Sequence, residues 1–305
     1  MERQAHSVEA GPGRGALDWQ GLALGVAFAT IWSSAFTSSR IVVEYWPPFL
    51  VLSVRFLFSG AVALGIGFAL GQRIRLTRAE WQAVVLFGIC QNALYLGLFH
   101  LAMRTIEAGL AAILASSLPL FVAALARVFL KQRLAPVALA GLFGGFAGVL
   151  VIMAGRLGHG LDWYGVVACV VGVVALAVAT LTLRNAAAGG SLWMVVGLQM
   201  MVGAAALFPA SLVFETWEVG FDLRFLAAFL YSALVSGVVA TMIWFVLVRR
   251  IGATRAATFH FLNPFLGVAI AALILGERVS ARDVVGVAII MAGILAVQLS
   301  RAARR

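Results

Sequence analysis

Arg55 is a lone cation inside a long apolar run, and the amides of Gln91 and Asn92, the phenol of Tyr95 and the His260/Asn263 pair stand inside others. Residues of these types hold a solute; they do not break bonds. A guanidinium grips a carboxylate through its forked N–H groups, amides donate and accept, and aromatic faces take apolar groups or cations. The twelve Asp and Glu residues all fall in polar breaks or at the ends of the apolar runs, so no carboxylate pair is placed for acid–base work. No His, Cys and carboxylate cluster has metal-ligand spacing, and no glycine-rich loop would cradle a phosphate. Cys90 and Cys169 each lie in an apolar run, as expected of buried free thiols. The chain therefore reads as a binding or transport protein with no cofactor and no metal, not an enzyme.

The elements that carry these residues are membrane spans. Hydrophobic residues make up 63% of the chain and charged residues 11%, with a mean hydropathy of +1.04. A soluble domain is about half apolar and a quarter charged, so this chain could not cover a water-exposed surface with polar groups. A helix needs about 20 apolar residues to cross the hydrocarbon. Ten such runs are predicted, near 18–40, 48–70, 80–103, 107–129, 136–155, 163–184, 191–214, 224–248, 253–275 and 282–300. The run from Leu17 to Ser39 is too long for the core of a signal peptide. Residues 1–17 and 301–305 read as tails. Trp19, Trp46, Trp81, Trp163 and Trp217 stand near span ends, where indoles anchor at the interface.

The positive charges set the orientation. With the amino terminus in the cytoplasm, the inner segments hold fifteen Lys and Arg and the outer segments six, so both ends are expected inside a bacterial-type inner membrane. The net charge of +10 is then a topology signal and an attraction to the anionic lipid bilayer, and nucleic acid is not an expected partner.

"SSLPLFVAALARVFLKQRL" (116–134) returns as "FLNPFLGVAIAALILGERV" (261–279). In this register Pro119 meets Pro264, Arg133 meets Arg278, and Gly141 and Gly148 meet Gly286 and Gly293. Span four thereby pairs with nine and five with ten, so the repeating unit is five spans, 18–155 and 163–300. An odd number of crossings inverts the second unit. The predicted fold is an all-α membrane protein of ten transmembrane helices in two inverted-topology repeats, which in secondary transporters place the substrate site near the midplane between repeats.

The residues that carry the repeat resemble those of the drug/metabolite transporter superfamily, EamA type. They are Trp32-Ser33-Ser34, "PPFLVLSVRF" (47–56), "AAILASSLPLFVAAL" with "GLFGGFAGVLVIM", and their second-half counterpart ending in Gly276-Glu277-Arg278. Lys131-Gln132-Arg133 departs from that last pattern in the first half. The resemblance implies a ten-helix transporter and, among its members, an exporter of amino acids and related metabolites.

Polar groups at membrane depth are costly and mark pathways. The midplane candidates are Trp32, Ser33 and Thr37 in span one, Arg55 in two, Gln91, Asn92 and Tyr95 in three, Gln199 in seven, Ser232 and Trp244 in eight, and His260 and Asn263 in nine. Tyr231 and Ser236 share span eight, and His100 is placed toward the outer end of span three. Single hydroxyls can instead bond their own backbone, and Gln91 and Asn92 could join helices. Arg55 could snorkel, pair within the protein, or meet a substrate carboxylate. Pro119 and Pro264 free a carbonyl one turn upstream and are candidate hinges. Spans one, three, four and six to nine are expected to line a cavity. Spans five and ten, with small residues at Gly141/Gly145 and Gly144/Gly148, are expected outside it, packed within the chain or forming a homodimer face. The partner expected is a small-molecule substrate. With no midplane carboxylate, His260 is the only expected carrier of a proton, and facilitative export is the reading set against proton-coupled drug or metabolite efflux. Phosphorylated or nucleotide-linked solutes would demand more buried cations than Arg55 alone supplies.

Overall fold

A computed structural model describes residues 19–129, 135–156, 162–182, 192–251 and 257–302. The tail at 1–17, the end of the tail at 303–305 and the Lys131-Gln132-Arg133 cluster lie outside them. The described chain is entirely helical, in ten segments. These are α1 (Trp19–Tyr45), α2 (Pro48–Ala69), α3 (Arg78–Ala102), α4 (Ala108–Phe129), α5 (Pro136–Arg156), α6 (Trp163–Thr182), α7 (Leu192–Phe214), α8 (223–251), α9 (257–275) and α10 (Ala281–Ala302).

Seven of them, α1 to α4 and α6 to α8, are long and apolar enough to cross a membrane. The expectation of ten is met in part. The described apolar stretch of α5, Pro136–Ile152, is shorter, α10 carries Arg282, Asp283 and Arg301 at its ends, and α9 is shortened by its own break. There a 3₁₀ turn (Ala257–Leu262) precedes a regular helix of 13 residues. Pro264 stands second in that helix, where its missing N–H costs nothing. The chain α4 breaks in the same way at Ser117, and Pro119 is the second residue of its following piece. The outside of the bundle is apolar: Leu273 is 85% exposed and Phe143 70%. Water would not tolerate such a surface; lipid does.

Two helix pairs dominate the packing, α2 with α7 and α5 with α10. Exchanging the halves maps the other main contacts onto one another: α1·α9 onto α4·α6, α3·α6 onto α1·α8, and α3·α7 onto α2·α8. Glycines set the α5·α10 spacing. A Cβ on Gly293 would stand 2.5 Å from the Gly141 carbonyl oxygen, and one on Gly148 would stand 2.8 Å from that of Gly286. The small-residue face of span five is thus consumed inside the chain, except at Gly144, which meets nothing within 4 Å.

The halves are bonded at the end of the bundle that carries Trp46. Glu215, just past α7, accepts from the Phe49 and Leu50 N–H groups at 2.7 and 3.0 Å. Glu277, just past α9, accepts from Ala108 and Gly109 at 2.7 and 2.8 Å. The orphan N–H groups opening α2 and α4 are therefore satisfied by carboxylates from the other half, with the helix dipole in favour. Gly276 ends α9 in the left-handed conformation (φ 71°), and the turn delivers Glu277. Tyr45 donates to Asp222 at 2.7 Å, the Trp46 indole donates to the Gly220 carbonyl, and Thr105 bonds Asp162.

Candidate functional site

The site is built on two π-helical turns. Helix α3 widens over Gly88–Leu96 and α8 over Tyr231–Val239, corresponding places in the two halves. A π turn inserts an extra residue and re-aims the side chains that follow, which is why such turns gather at functional sites. The first carries Gln91, Asn92 and Tyr95, and the second carries Ser236 and Gly237, all on one cavity. Trp32, Phe36 and Ser39 of α1, Arg55 of α2, His100 of α3 and Met103 just past it, Gln199 of α7 and Thr241 of α8 are among the other residues of its wall. The cavity encloses about 50 Å³, room for a few waters. An amino acid is larger, so a solute of that size requires the walls to part.

Arg55 is 6% exposed, and among the described residues no carboxylate pairs with it. Its Nε has no hydrogen-bond partner, and its guanidinium lies 5.5 Å from the centre of the Phe56 ring. A buried cation without a partner is costly, so its position in a cavity wall is a strong functional signal. Asn92 has two roles: it lines the cavity and donates to the Gln199 carbonyl at 2.9 Å, tying α3 to α7.

Six of the sequence candidates, Trp32, Arg55, Gln91, Asn92, Tyr95 and Gln199, meet on this cavity. The others do not. Ser232 bonds the Phe229 carbonyl in its own helix, and Thr37 is buried behind the wall with its hydroxyl unpartnered. Ser33, Trp244, His260 and Asn263 form a second cluster. Ser33 donates to Asn263 at 3.4 Å, and the Asn263 amide donates to His260 Nδ1 at 2.9 Å. His260 is packed against Phe28 and Trp244, with ring centres 5.3 and 5.1 Å away, and Trp32 bridges this cluster to the cavity. The cavity wall includes α2, which the sequence reading left out, and takes nothing from α4, α6 or α9; α5 and α10 stay outside.

His100 stands toward the end of its span, as expected, but the sequence reading did not count it among the site residues. It is wholly buried and lines the cavity, because α3 reaches Ala102 and its last turn faces inward onto α2 and α6. Its type was the available signal, as an imidazole within an apolar run. Cys90 and Cys169 are buried free thiols. Among the described residues no His, Cys, Asp and Glu group could hold a metal.

The EamA-like transporter family matches the chain twice, over residues 19–154 and 163–299. An uncharacterized transporter of Archaeoglobus fulgidus is 25% identical, covering 93% of this chain and 99% of that protein. The inner membrane transporter YedA of Escherichia coli is 27% identical, over 90% of this chain and 89% of its own length. A crystal structure 22% identical in sequence superposes with a TM-score of 0.66 and covers 92% of this chain and 96% of that one, so the fold is shared.

Proposed function

The chain belongs to the EamA-like transporter family, a multi-pass membrane transporter of the drug/metabolite superfamily, and from that membership we propose that it exports small metabolites, amino acids foremost, across an inner membrane. The observation that carries the substrate class is Arg55, a buried guanidinium with no carboxylate partner among the described residues, on a cavity lined also by amide and aromatic side chains. It supplies one positive charge for one carboxylate, and Trp32, Phe36 and Tyr95 supply an apolar surface for a side chain. Phosphorylated solutes carry two or more charges and would need further cations.

Transport runs by alternating access between two inverted five-helix repeats, 18–155 and 163–300, in ten spans with both termini cytoplasmic. The double family match and the contacts that exchange with the halves support this reading, as does the excess of Lys and Arg on the proposed inner side. The Trp46 end then faces outward and its carboxylate latches form the outer gate. The Phe28/Trp32/Trp244/His260 cluster flanks the cavity on the opposite side. Pro119 and Pro264 are the hinges, each standing where its helix breaks. A homodimer through α5 and α10 would rest on outward side chains such as Phe143 and Leu150 rather than on the glycines. Coupling is facilitative: among the described residues no carboxylate lines the cavity, and His260 is enclosed by rings and bonded to Asn263.

The test is counterflow of labelled amino acids in proteoliposomes. Losing a charge-assisted hydrogen bond costs about 1.5–3 kcal/mol, so Arg55→Gln should raise KM roughly 10- to 150-fold. Unchanged flux in that variant would overturn the assignment.

A further inference from the structure

Among the described residues two buried polar atoms of the cavity lining lack a hydrogen-bond partner, Arg55 Nε and His100 Nε2. His100 is 0% exposed, and its Nδ1 lies 2.9 Å from the Leu96 carbonyl oxygen. A carbonyl can only accept, so Nδ1 carries the hydrogen. In the neutral ring Nε2 is then a bare acceptor, and among the described residues nothing donates to it. Arg55 Nε, in the lining of the same cavity, is a bare donor. The lining of one cavity therefore holds both an unmet N–H on a cation and an unmet lone pair. Protein interiors seldom leave either, and a site that does so discriminates strongly for the ligand that supplies both partners.

We propose that His100 Nε2 accepts a hydrogen bond from the ammonium group of the substrate while Arg55 holds its carboxylate, so that the pair recognises the zwitterionic head of an α-amino acid. The proposal rests on the reading of Arg55 as the carboxylate anchor. It assigns the discrimination between amino acids and simple carboxylic acids to one imidazole nitrogen. The two head charges are adjacent in an α-amino acid, and the lone pair answers the ammonium without placing a carboxylate in the membrane. The Leu96 bond fixes which nitrogen faces the substrate, because a flipped ring would lose it. Ser236 and Thr241 spend their hydroxyl hydrogens on their own helix, on Ser232 O at 3.0 Å and Gly237 O at 2.6 Å, so neither hydrogen is given to the His100 lone pair. The side chain of the substrate is left to the aromatic wall.

The experiment is inhibition of labelled L-phenylalanine counterflow, in proteoliposomes of the full chain, by unlabelled L-phenylalanine and by its deaminated analogue 3-phenylpropanoate. In the unaltered protein 3-phenylpropanoate should compete at least ten-fold more weakly. His100→Phe keeps the ring volume and removes the acceptor; it should weaken phenylalanine ten-fold or more and leave 3-phenylpropanoate unmoved. His100→Gln restores an acceptor oxygen and should recover part of the preference. Arg55→Gln should weaken both compounds alike. If Arg55→Gln weakens both while His100→Phe keeps the full preference for phenylalanine, the carboxylate reading stands and the role of His100 is overturned. If Arg55→Gln alters neither, the anchor itself falls and this inference with it. Should His100→Phe not give a monodisperse, folded protein, the His100→Gln preference and the discrimination by the unaltered protein decide the matter: equal competition by the two compounds in the unaltered protein overturns the proposal.

Discussion

Replacing Gly293 by Ala should loosen the α5·α10 pair measurably, and the size of the effect follows from the geometry. The added Cβ would stand 2.5 Å from Gly141 O, 2.7 Å from Gly145 N and 2.8 Å from Gly145 Cα. All three obstacles are backbone atoms, so no side chain can swing aside, and relief requires the two helix axes to part. Overpacking of this kind costs about 1–3 kcal/mol, against which alanine returns up to about 1 kcal/mol of helix propensity. With the full propensity gain the net expectation is a loss of up to about 2 kcal/mol. At roughly 2–4 °C per kcal/mol, thermal unfolding of the purified protein in detergent should begin several degrees lower. Gly144→Ala is the internal control: its Cβ meets nothing within 4 Å, so only the propensity gain remains and the melting temperature should hold or rise. Because α5 and α10 contribute nothing to the cavity wall, the KM of whichever amino acid is transported should be the same in both variants. Equal melting of the two variants, or a rise for Gly293→Ala, would refute the close-packed glycine interface.

Glu277→Gln removes the charge from the carboxylate cap on α4 at the Trp46 end, at about 0.5–2 kcal/mol; a cysteine placed at Ser39 should then react faster with a membrane-impermeant thiol reagent added from outside, and an unchanged rate would count against the latch. Acid should open the same end only at low pH. Asp222 is held below the usual Asp range first by the Phe225 N–H and then by the Tyr45 hydroxyl, and Asp162 is held low chiefly by Thr105. A depressed carboxylate contributes above its unfolded value of 3.8 and is lost as pH falls through its lower folded value. Glu215 runs the other way, pushed up by burial against the pull of two N–H groups. Normalised at each pH to the rate of a free thiol with the same reagent, which removes the loss of thiolate, labelling of the Ser39 cysteine should therefore be flat from pH 7 to 5 and rise only below about 3.8; a normalised rise near pH 5 would point to another group. An imposed pH gradient should not drive an amino acid beyond equilibrium in proteoliposomes, and accumulation abolished by His260→Ala would overturn the facilitative reading.

Much of this molecule was legible in its residues. Apolar runs of spanning length, interrupted by Arg-bearing breaks, determine helices and leave strands no place, because a backbone in lipid must satisfy its own hydrogen bonds. The Pro119/Pro264 register determined that the chain repeats, and the two helix breaks fall at those prolines. Arg55 stood out by chemistry alone, since nothing else in its run could neutralise it. The rest needed neighbours. Helical spacing says which side chains share a face of one helix, not which helix that face meets, so Arg55 and His100 become wall partners only once α2 and α3 are packed. The π turns shift the faces of α3 and α8 out of the ordinary register, and no local pattern announces them. His260 and Asn263 have the types expected of a pathway, yet they spend their polar atoms on each other and on Ser33. Glu215 and Glu277 looked like span-end charges; only the fold, by bringing the starts of α2 and α4 against them, turned them into caps between halves. Local sequence determines what each helix can offer, and long-range packing decides which offers are met, because bonds that tie helices together, such as Glu215 to Phe49, Asn92 to Gln199 and Glu277 to Ala108, join partners more than a hundred residues apart.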